Sequence, residues 1–131
     1  MLADKIEAMR SKGFAITLEP KLDCIRIGLA GTCDMESLPH LGPFLDDLHQ
    51  EVERAGARHV VMDCDDLYFM NSASIKCFVG WVGMINTLNP VQRYSVEFLV
   101  NTRLAWQQRS LAAIRRYAPE IVTLNSSSKS L

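Results

Sequence analysis

The chain has 131 residues, of which 48% are hydrophobic and 22% are charged, and this balance is typical of one globular domain with a single core. Its formal net charge is −1, so there is no overall positive field to hold a nucleic-acid backbone. No run approaches the ~18 consecutive apolar residues of a membrane span, and residues 1–13 lack the apolar centre of a signal peptide. We therefore expect a cytoplasmic protein that neither binds nucleic acid nor inserts into a membrane.

The cysteines and histidines do not form a metal-binding pattern. Cys24, Cys33, Cys64 and Cys77 are too widely separated for a Cys-x-x-Cys pair, and the three histidines are scattered along the chain. A cysteine without a partner behaves as a small apolar residue. We expect free thiols, no metal site and no cofactor.

The first part of the chain predicts a helix followed by a β-hairpin. Leu2, Ile6 and Met9 lie on one face of a short amphipathic helix over residues 1–13. Two runs then place apolar residues at every second position: Phe14, Ile16 and Leu18, and Ile25, Ile27 and Leu29. This alternation is the pattern of half-buried strands, and the short connection after Pro20 predicts that they pair in antiparallel fashion.

A long amphipathic helix is predicted next, and it leads to a buried strand. Ser37 is expected to cap the helix, with Pro39 in its first turn and Gly56 at its end. Its buried stripe consists of Leu41, Phe44, Leu45, Leu48, Val52 and Ala55. A strand over residues 58–63 follows, so the helix is expected to connect two parallel strands through a right-handed crossover.

The centre of the chain predicts a strand that leads into a second helix. An acidic turn is expected at residues 63–66, and the polar residues 71–74 then begin the helix, with Asn71 or Ser72 as its N-cap. Backbone N–H groups at a helix start favour an anion, so a phosphate on Ser72 or Ser74 is expected to be accommodated there. The buried face of the helix consists of Ile75, Phe78, Val79, Val82 and Ile85.

The remaining residues complete an α/β domain over residues 14–124. Gly80 and Gly83 are expected to let the central helix approach the sheet closely. The predicted order β-β-α-β-α-β-α-β gives a mixed sheet of four to five strands with helices mainly on one face. Its last elements are a strand at residues 94–100, a helix from an Asn101 or Thr102 cap to about Tyr117, a strand at residues 120–124 and a disordered tail at residues 125–131.

Two stretches resemble the STAS domain family of bacterial anti-sigma-factor antagonists. The family's strand-to-helix segment usually reads apolar-x-Phe-Met/Ile-Asp-Ser-Ser-Gly, and residues 67–75, LYFMNSASI, resemble it. Its Gly-x-x-Asp corner is similar to GTCD at residues 31–34. This chain has Asn71 for the family's aspartate, Ala73 for its phosphorylated serine and Ser74 for its glycine. The resemblance covers most of the chain and implies the STAS fold.

The resemblance also implies a non-catalytic regulator that binds another protein in a bacterial partner-switching system controlling transcription. The expected partner is an anti-sigma factor or a serine kinase with a GHKL-type ATP-binding domain, and a phosphate on the loop would break the contact. Ala73 has no hydroxyl, so either a neighbouring serine is phosphorylated, with Ser72 and Ser74 as the candidates, or the protein binds its partner without this regulation. The implied partner-binding residues are Asp34, Asn71, Ser72, Ala73, Ser74, Ile75 and Lys76.

Three alternatives stand beside this interpretation. Some STAS proteins are structural subunits of membrane transport systems, including lipid transporters; the partner would then be a transporter ATPase, and a homodimer is open in either case. Asp63, Asp65 and Asp66 resemble the Mg²⁺-binding phosphoacceptor site of receiver domains, but the acidic pair after the first strand and the lysine after the late strand are missing. A hydrolase triad built on Ser72 lacks a Gly-x-Ser-x-Gly elbow. We therefore predict no enzymatic activity.

Overall fold

The computed structural model describes residues 13–127, so the predicted N-terminal helix before Gly13 and the tail at 128–131 lie outside the described residues. The described elements follow the predicted order. They are β1 (Phe14–Lys21), β2 (Cys24–Cys33), α1 (Leu38–Ala55), β3 (His59–Met70), α2 (Ser72–Asn86), β4 (Ser95–Val100), α3 (Ala105–Tyr117) and β5 (Val122–Ser126).

The strands of the described chain form one five-stranded sheet in the order β1-β2-β3-β4-β5. β1 and β2 are antiparallel, and every later neighbouring pair is parallel. Each helix therefore connects adjacent parallel strands, and each step moves in the same direction across the sheet. Right-handed crossovers then place all three helices on one face, where α1 contacts α2 and α2 contacts α3. The predicted mixed sheet with helices on one face is confirmed.

The core fills the space between the helices and the sheet. Phe78 packs edge-on against Trp81 and against Phe98, with ring centroids 6.3 and 6.2 Å apart. The predicted stripe of α1 is buried except for Ala55, which is exposed. Among residues 13–127 there is no helix with the length and apolar character needed to cross a bilayer.

The acidic turn predicted at residues 63–66 is wrong, because β3 runs without interruption from His59 to Met70. Two of the acidic side chains in this strand are hydrogen-bonded to groups that are distant in the sequence. Asp63 accepts a hydrogen bond from the Arg26 guanidinium at 2.8 Å, and the buried Asp65 carboxylate accepts one from the Ser127 hydroxyl. The pairing with β2 shifts register between Asp63 and Asp66, so this stretch forms an irregularity within the strand.

Several predicted boundaries are also corrected. Ser37 occupies the N-cap position of α1 without a side-chain capping bond, and α3 begins after Leu104 rather than after an Asn101 or Thr102 cap. β5 continues to Ser126, two residues into the predicted tail. Gly80 and Gly83 do not promote helix-to-sheet contact. Both glycines are on the exposed side of α2, and a Cβ built on either would meet nothing within 4 Å.

A buried glutamine holds the irregular part of β3 in place. The Gln107 side chain is fully buried, and its Nε2 donates to the carbonyl oxygens of Cys64 and Leu67, both at 2.7 Å. Its Oε1 accepts from the Asn101 N–H at 2.8 Å. One side chain thus binds three backbone groups, two on β3 and one directly after β4.

A second buried network joins α1, α2 and the start of β4. The Trp81 indole N–H donates to the Tyr94 hydroxyl at 3.0 Å, and that hydroxyl lies 2.6 Å from His49 Nδ1. His49 Nε2 lies 3.0 Å from a Glu53 carboxylate oxygen. The arrangement is fully paired when Tyr94 donates to Nδ1 and Nε2–H donates to Glu53. Burial, which disfavours the phenolate, raises the pKa of Tyr94 far above its ordinary value.

Replacing Gln107 with leucine should lower the free energy of unfolding by about 2–4 kcal/mol, because two buried carbonyls and one part-buried N–H lose the hydrogen bonds to its side chain. The midpoint of urea unfolding measures this loss. Gln108→Leu is the matched control: Gln108 is exposed, so its change should stay within about 0.5 kcal/mol. Equal effects of the two substitutions would contradict the assigned role of Gln107.

Tyr94 should make the protein lose stability at high pH. The folded-state pKa is raised, so above pH ~10 the unfolded chain releases the Tyr94 proton while the folded chain keeps it. The contribution of Tyr94 to the free energy of unfolding is therefore complete at pH values below its pKa in the unfolded chain. Above that pKa it decreases by about 1.4 kcal/mol per pH unit. The ordinary pKa of a tyrosine hydroxyl is ~10. In denaturant titrations from about pH 9 to 11, we therefore expect the stability advantage of the wild type over Tyr94→Phe to shrink as the pH rises. A constant difference would show that Tyr94 ionises normally.

Candidate functional site

The candidate site begins where two parallel strands end side by side. Cys33 at the end of β2 pairs with Met70 at the end of β3. The Asn71 N–H then donates to the Cys33 carbonyl oxygen at 3.0 Å, which extends the pairing by one step. The turn that follows β2, which contains Asp34, therefore lies beside the first turn of α2.

Asn71 caps α2, as predicted. Its side-chain oxygen accepts from the Ser74 N–H at 2.8 Å, and its carbonyl accepts from the Ile75 N–H at 3.1 Å. The residue has the extended backbone conformation typical of an N-cap, with φ −75° and ψ 168°. Asparagine thus supplies the same capping oxygen as an aspartate, without its negative charge.

The two candidate serines have opposite environments. Ser72 is exposed at the start of α2, whereas Ser74 is fully buried. The Cys33 thiol donates to the Ser74 hydroxyl oxygen at 3.4 Å, and burial raises the pKa of Cys33 against the smaller opposite effect of this bond. Ser74 precedes the buried Phe78 by one helical turn, so both lie on the face that packs against the sheet.

The turn after β2 is organised by Asp34. Its carboxylate accepts from the Glu36 N–H at 3.0 Å, and its carbonyl accepts from the N–H groups of Ser37 and Leu38 at 3.2 and 3.1 Å. Asp34 is half-buried. In the described chain the buried Ser37 hydroxyl has no hydrogen-bond partner.

The other predicted contact residues lie on the first turn of α2. Lys76 is exposed, while Ala73 and Ile75 are half-buried, and Ile75 packs against the core. Lys76 is therefore the most accessible of these three side chains.

Three exposed apolar side chains near the ends of β2 and β3 were not predicted from the sequence. Met35 is 69% exposed in the turn, and Tyr68 and Phe69 are 61% and 48% exposed near the end of β3. Phe69 pairs with Thr32, directly before the corner. Strand alternation does not predict this exposure, because the pairing of β3 with β2 shifts register between Leu67 and Phe69 and interrupts the alternation there.

The acidic side chains of β3 do not have the placement of a receiver-type phosphoacceptor site. Asp63 and Asp65 lie within β3 rather than at its carboxyl end, where a receiver-type phosphoacceptor would be placed. No group of three or more potential metal ligands occurs within residues 13–127. His49 lies in hydrogen-bond contact with the Tyr94 hydroxyl, and His59 with the Ser95 hydroxyl.

Solved structures with the same fold identify the architecture, although no family model and no curated protein matches the chain. An anti-sigma factor antagonist from Mycobacterium paratuberculosis is 13% identical over 88% of each chain, with a TM-score of 0.61. The anti-sigma factor antagonist SpoIIAA in its unphosphorylated form is 13% identical over 88% of this chain and 92% of that chain, with a TM-score of 0.57. The phosphorylated form of SpoIIAA, a Bacillus cell fate determinant, is 15% identical over 88% and 96%, with a TM-score of 0.55. The chain has the STAS fold.

The two serines should respond differently to a negative charge. Ser74→Asp would bury an unpaired carboxylate and should lower the free energy of unfolding by about 3 kcal/mol or more. Ser72→Asp places the charge in solvent at the positive end of α2 and should change stability by less than about 0.5 kcal/mol. Thermal unfolding of both variants provides the measurement. Equal tolerance at both positions would contradict the buried placement of Ser74.

Proposed function

We propose that the protein is a non-catalytic, cytoplasmic regulator of the anti-sigma-factor-antagonist type that acts by capturing a protein partner. The proposed partner is an anti-sigma factor or a serine kinase with a GHKL-type ATP-binding domain. The observation that carries this proposal is the convergence of polar and exposed apolar side chains at the ends of β2 and β3. We call this region the corner surface; it consists of Asp34, Met35, Tyr68, Phe69, Asn71, Ser72, Ala73 and Lys76.

The composition of the corner surface suits protein recognition. Exposed aromatic and methionine side chains are enriched in the centres of protein interfaces, and truncating such anchors often costs 1–2 kcal/mol or more of binding free energy. Tyr68, Phe69 and Met35 supply these anchors. Asp34 and Lys76 add one charge of each sign at the rim, where charges set orientation more than affinity.

The proposed regulatory position is Ser72. Its hydroxyl is exposed at the first residue of α2, so a kinase can reach it without unfolding the helix. A phosphate would add a charge of about −1.5 to −2 within the corner surface and would interact favourably with the helix start. The added charge and bulk would oppose docking of a partner on the adjacent apolar side chains. Ser74 would first have to leave the core.

The interface is tested by capturing the partner with variants of the corner surface. Phe69→Ser and Ser72→Glu should each weaken the measured complex by about tenfold or more, which corresponds to ~1.4 kcal/mol. Leu22→Ser is the matched control, because Leu22 is 94% exposed in the β1–β2 turn, away from the corner. All three variants should unfold at the wild-type temperature within a few degrees.

The identity of the captured protein decides between regulators and structural subunits. Recovery of an anti-sigma factor or GHKL kinase, lost with Phe69→Ser and kept with Leu22→Ser, supports the proposal. Recovery of a transporter ATPase with no phosphate on Ser72 would contradict it and favour the structural subunit of a transport complex. Phosphosite mapping on the purified protein from its own cells completes the test.

A further inference from the structure

The outer face of the helical layer carries opposite charge on its two flanks. α1 contains four acidic side chains and one arginine, a net charge of −3, whereas α3 contains three arginines and no acidic residue, a net charge of +3. α2 lies between them with Lys76 as its only charged residue. The three helices together have a net charge of +1, but the net charge changes from negative on α1 to positive on α3.

The charges available for contact are near the outer side of each flank. At 100° per residue, Arg109 and Arg116 lie opposite the buried face of α3 formed by Gln107, Leu111 and Ile114. On α1, Glu51 pairs with Arg54 and Glu53 with His49. Asp46 is exposed, and within residues 13–127 no hydrogen bond or ion pair engages its carboxylate or the guanidinium of Arg109.

A groove between α1 and α2 provides a place for one of these arginines. Its walls include Gly42, Gly80, Met84 and the Asp46 carboxylate. The glycines leave the helix backbones open, and Met84 supplies an apolar wall. An arginine side chain matches such a groove, because its methylene stem packs on apolar surface while its guanidinium binds a carboxylate.

We propose that the outer face of the helical layer is a self-association surface, on which a second copy of this chain places Arg109 beside Asp46 in the α1–α2 groove. A two-fold axis parallel to the helices puts α1 of each copy opposite α3 of the other and α2 opposite α2. The acidic helix α1 of each copy then faces the basic helix α3 of the other, with the exposed Asp46 and Arg109 side chains on the facing sides. An axis across the helices would place α1 opposite α1 and α3 opposite α3, whereas the parallel axis brings only the single Lys76 of α2 opposite its own copy.

The dimensions of the layer are adequate for a specific dimer. α2 has 15 residues, so it is about 22 Å long, and three helices packed ~9 Å apart span close to 30 Å. The face therefore offers on the order of 600 Å² per copy, near the ~800 Å² per partner of a standard interface. The open Cα positions of Gly80 and Gly83 let the two α2 helices approach closely along the axis.

The test uses two charge reversals, Asp46→Arg and Arg109→Asp, each purified separately and examined by sedimentation velocity. We expect the wild type to form a dimer that weakens with added salt, and each variant alone to dimerise at least tenfold more weakly because like charges face each other. Mixing the two variants should restore a 1:1 heterodimer, since both crossed contacts then join opposite charges. Glu19→Arg, exposed on β1 at the edge of the sheet away from the helices, should dimerise like the wild type.

Several outcomes would overturn this inference. A wild type that stays monomeric at high concentration, single variants that dimerise normally, or a mixture that stays monomeric would each reject the proposed contact. Circular dichroism of each variant distinguishes lost association from lost folding, because both side chains are exposed. The inference does not rest on the proposed regulatory function, since Asp46 and Arg109 lie outside the corner surface and partner capture is measured separately.

Discussion

The candidate site depends on the parallel pairing of the ends of β2 and β3. This pairing brings Cys33 beside Met70 and lets the Asn71 N–H continue the ladder onto the Cys33 carbonyl. From that anchor the Asn71 side chain begins α2, and the thiol of Cys33 reaches the Ser74 hydroxyl beneath the first turn. The corner surface is consequently set by strand register, and a slip of one residue would turn every side chain at both strand ends to the opposite face.

The elements were predictable because their signals are local. Alternation in the first two strands and the three-and-four spacing of apolar residues in the helices are each contained within one element, and the crossover rule then gives the sheet. The extent of β3 was not predictable in this way. Its acidic residues are compatible with a strand only because Arg26 lies 37 positions before Asp63 and Ser127 lies 62 positions after Asp65. The predicted close approach of α2 to the sheet at its glycines was wrong for a similar reason, since the spacing of glycines does not show which atoms lie beside them.

Part of the candidate site was predictable from the sequence. The Asn71 cap follows from a polar residue placed before an apolar periodic segment. The burial of Ser74 was also available, because it is separated by four residues from Phe78, which the same pattern already assigned to the core. Met35, Tyr68 and Phe69 were harder to assign, since a strand pattern identifies apolar residues without showing where the covering helices end. Exposure of such residues depends on tertiary packing, which the sequence does not show.

The absence of a serine at residue 73 changes the direction in which a phosphate would point. Ala73 precedes Cys77 by one turn and Gly80 by two, and both of these line the groove facing α1. A phosphate on residue 73 would therefore be directed toward the α1 side of α2, next to the turn that contains Asp34. Ser72 is rotated from that direction by about 100°. A phosphate on Ser72 would therefore leave the helix on a different side, next to an Asn71 side chain that contributes no negative charge of its own.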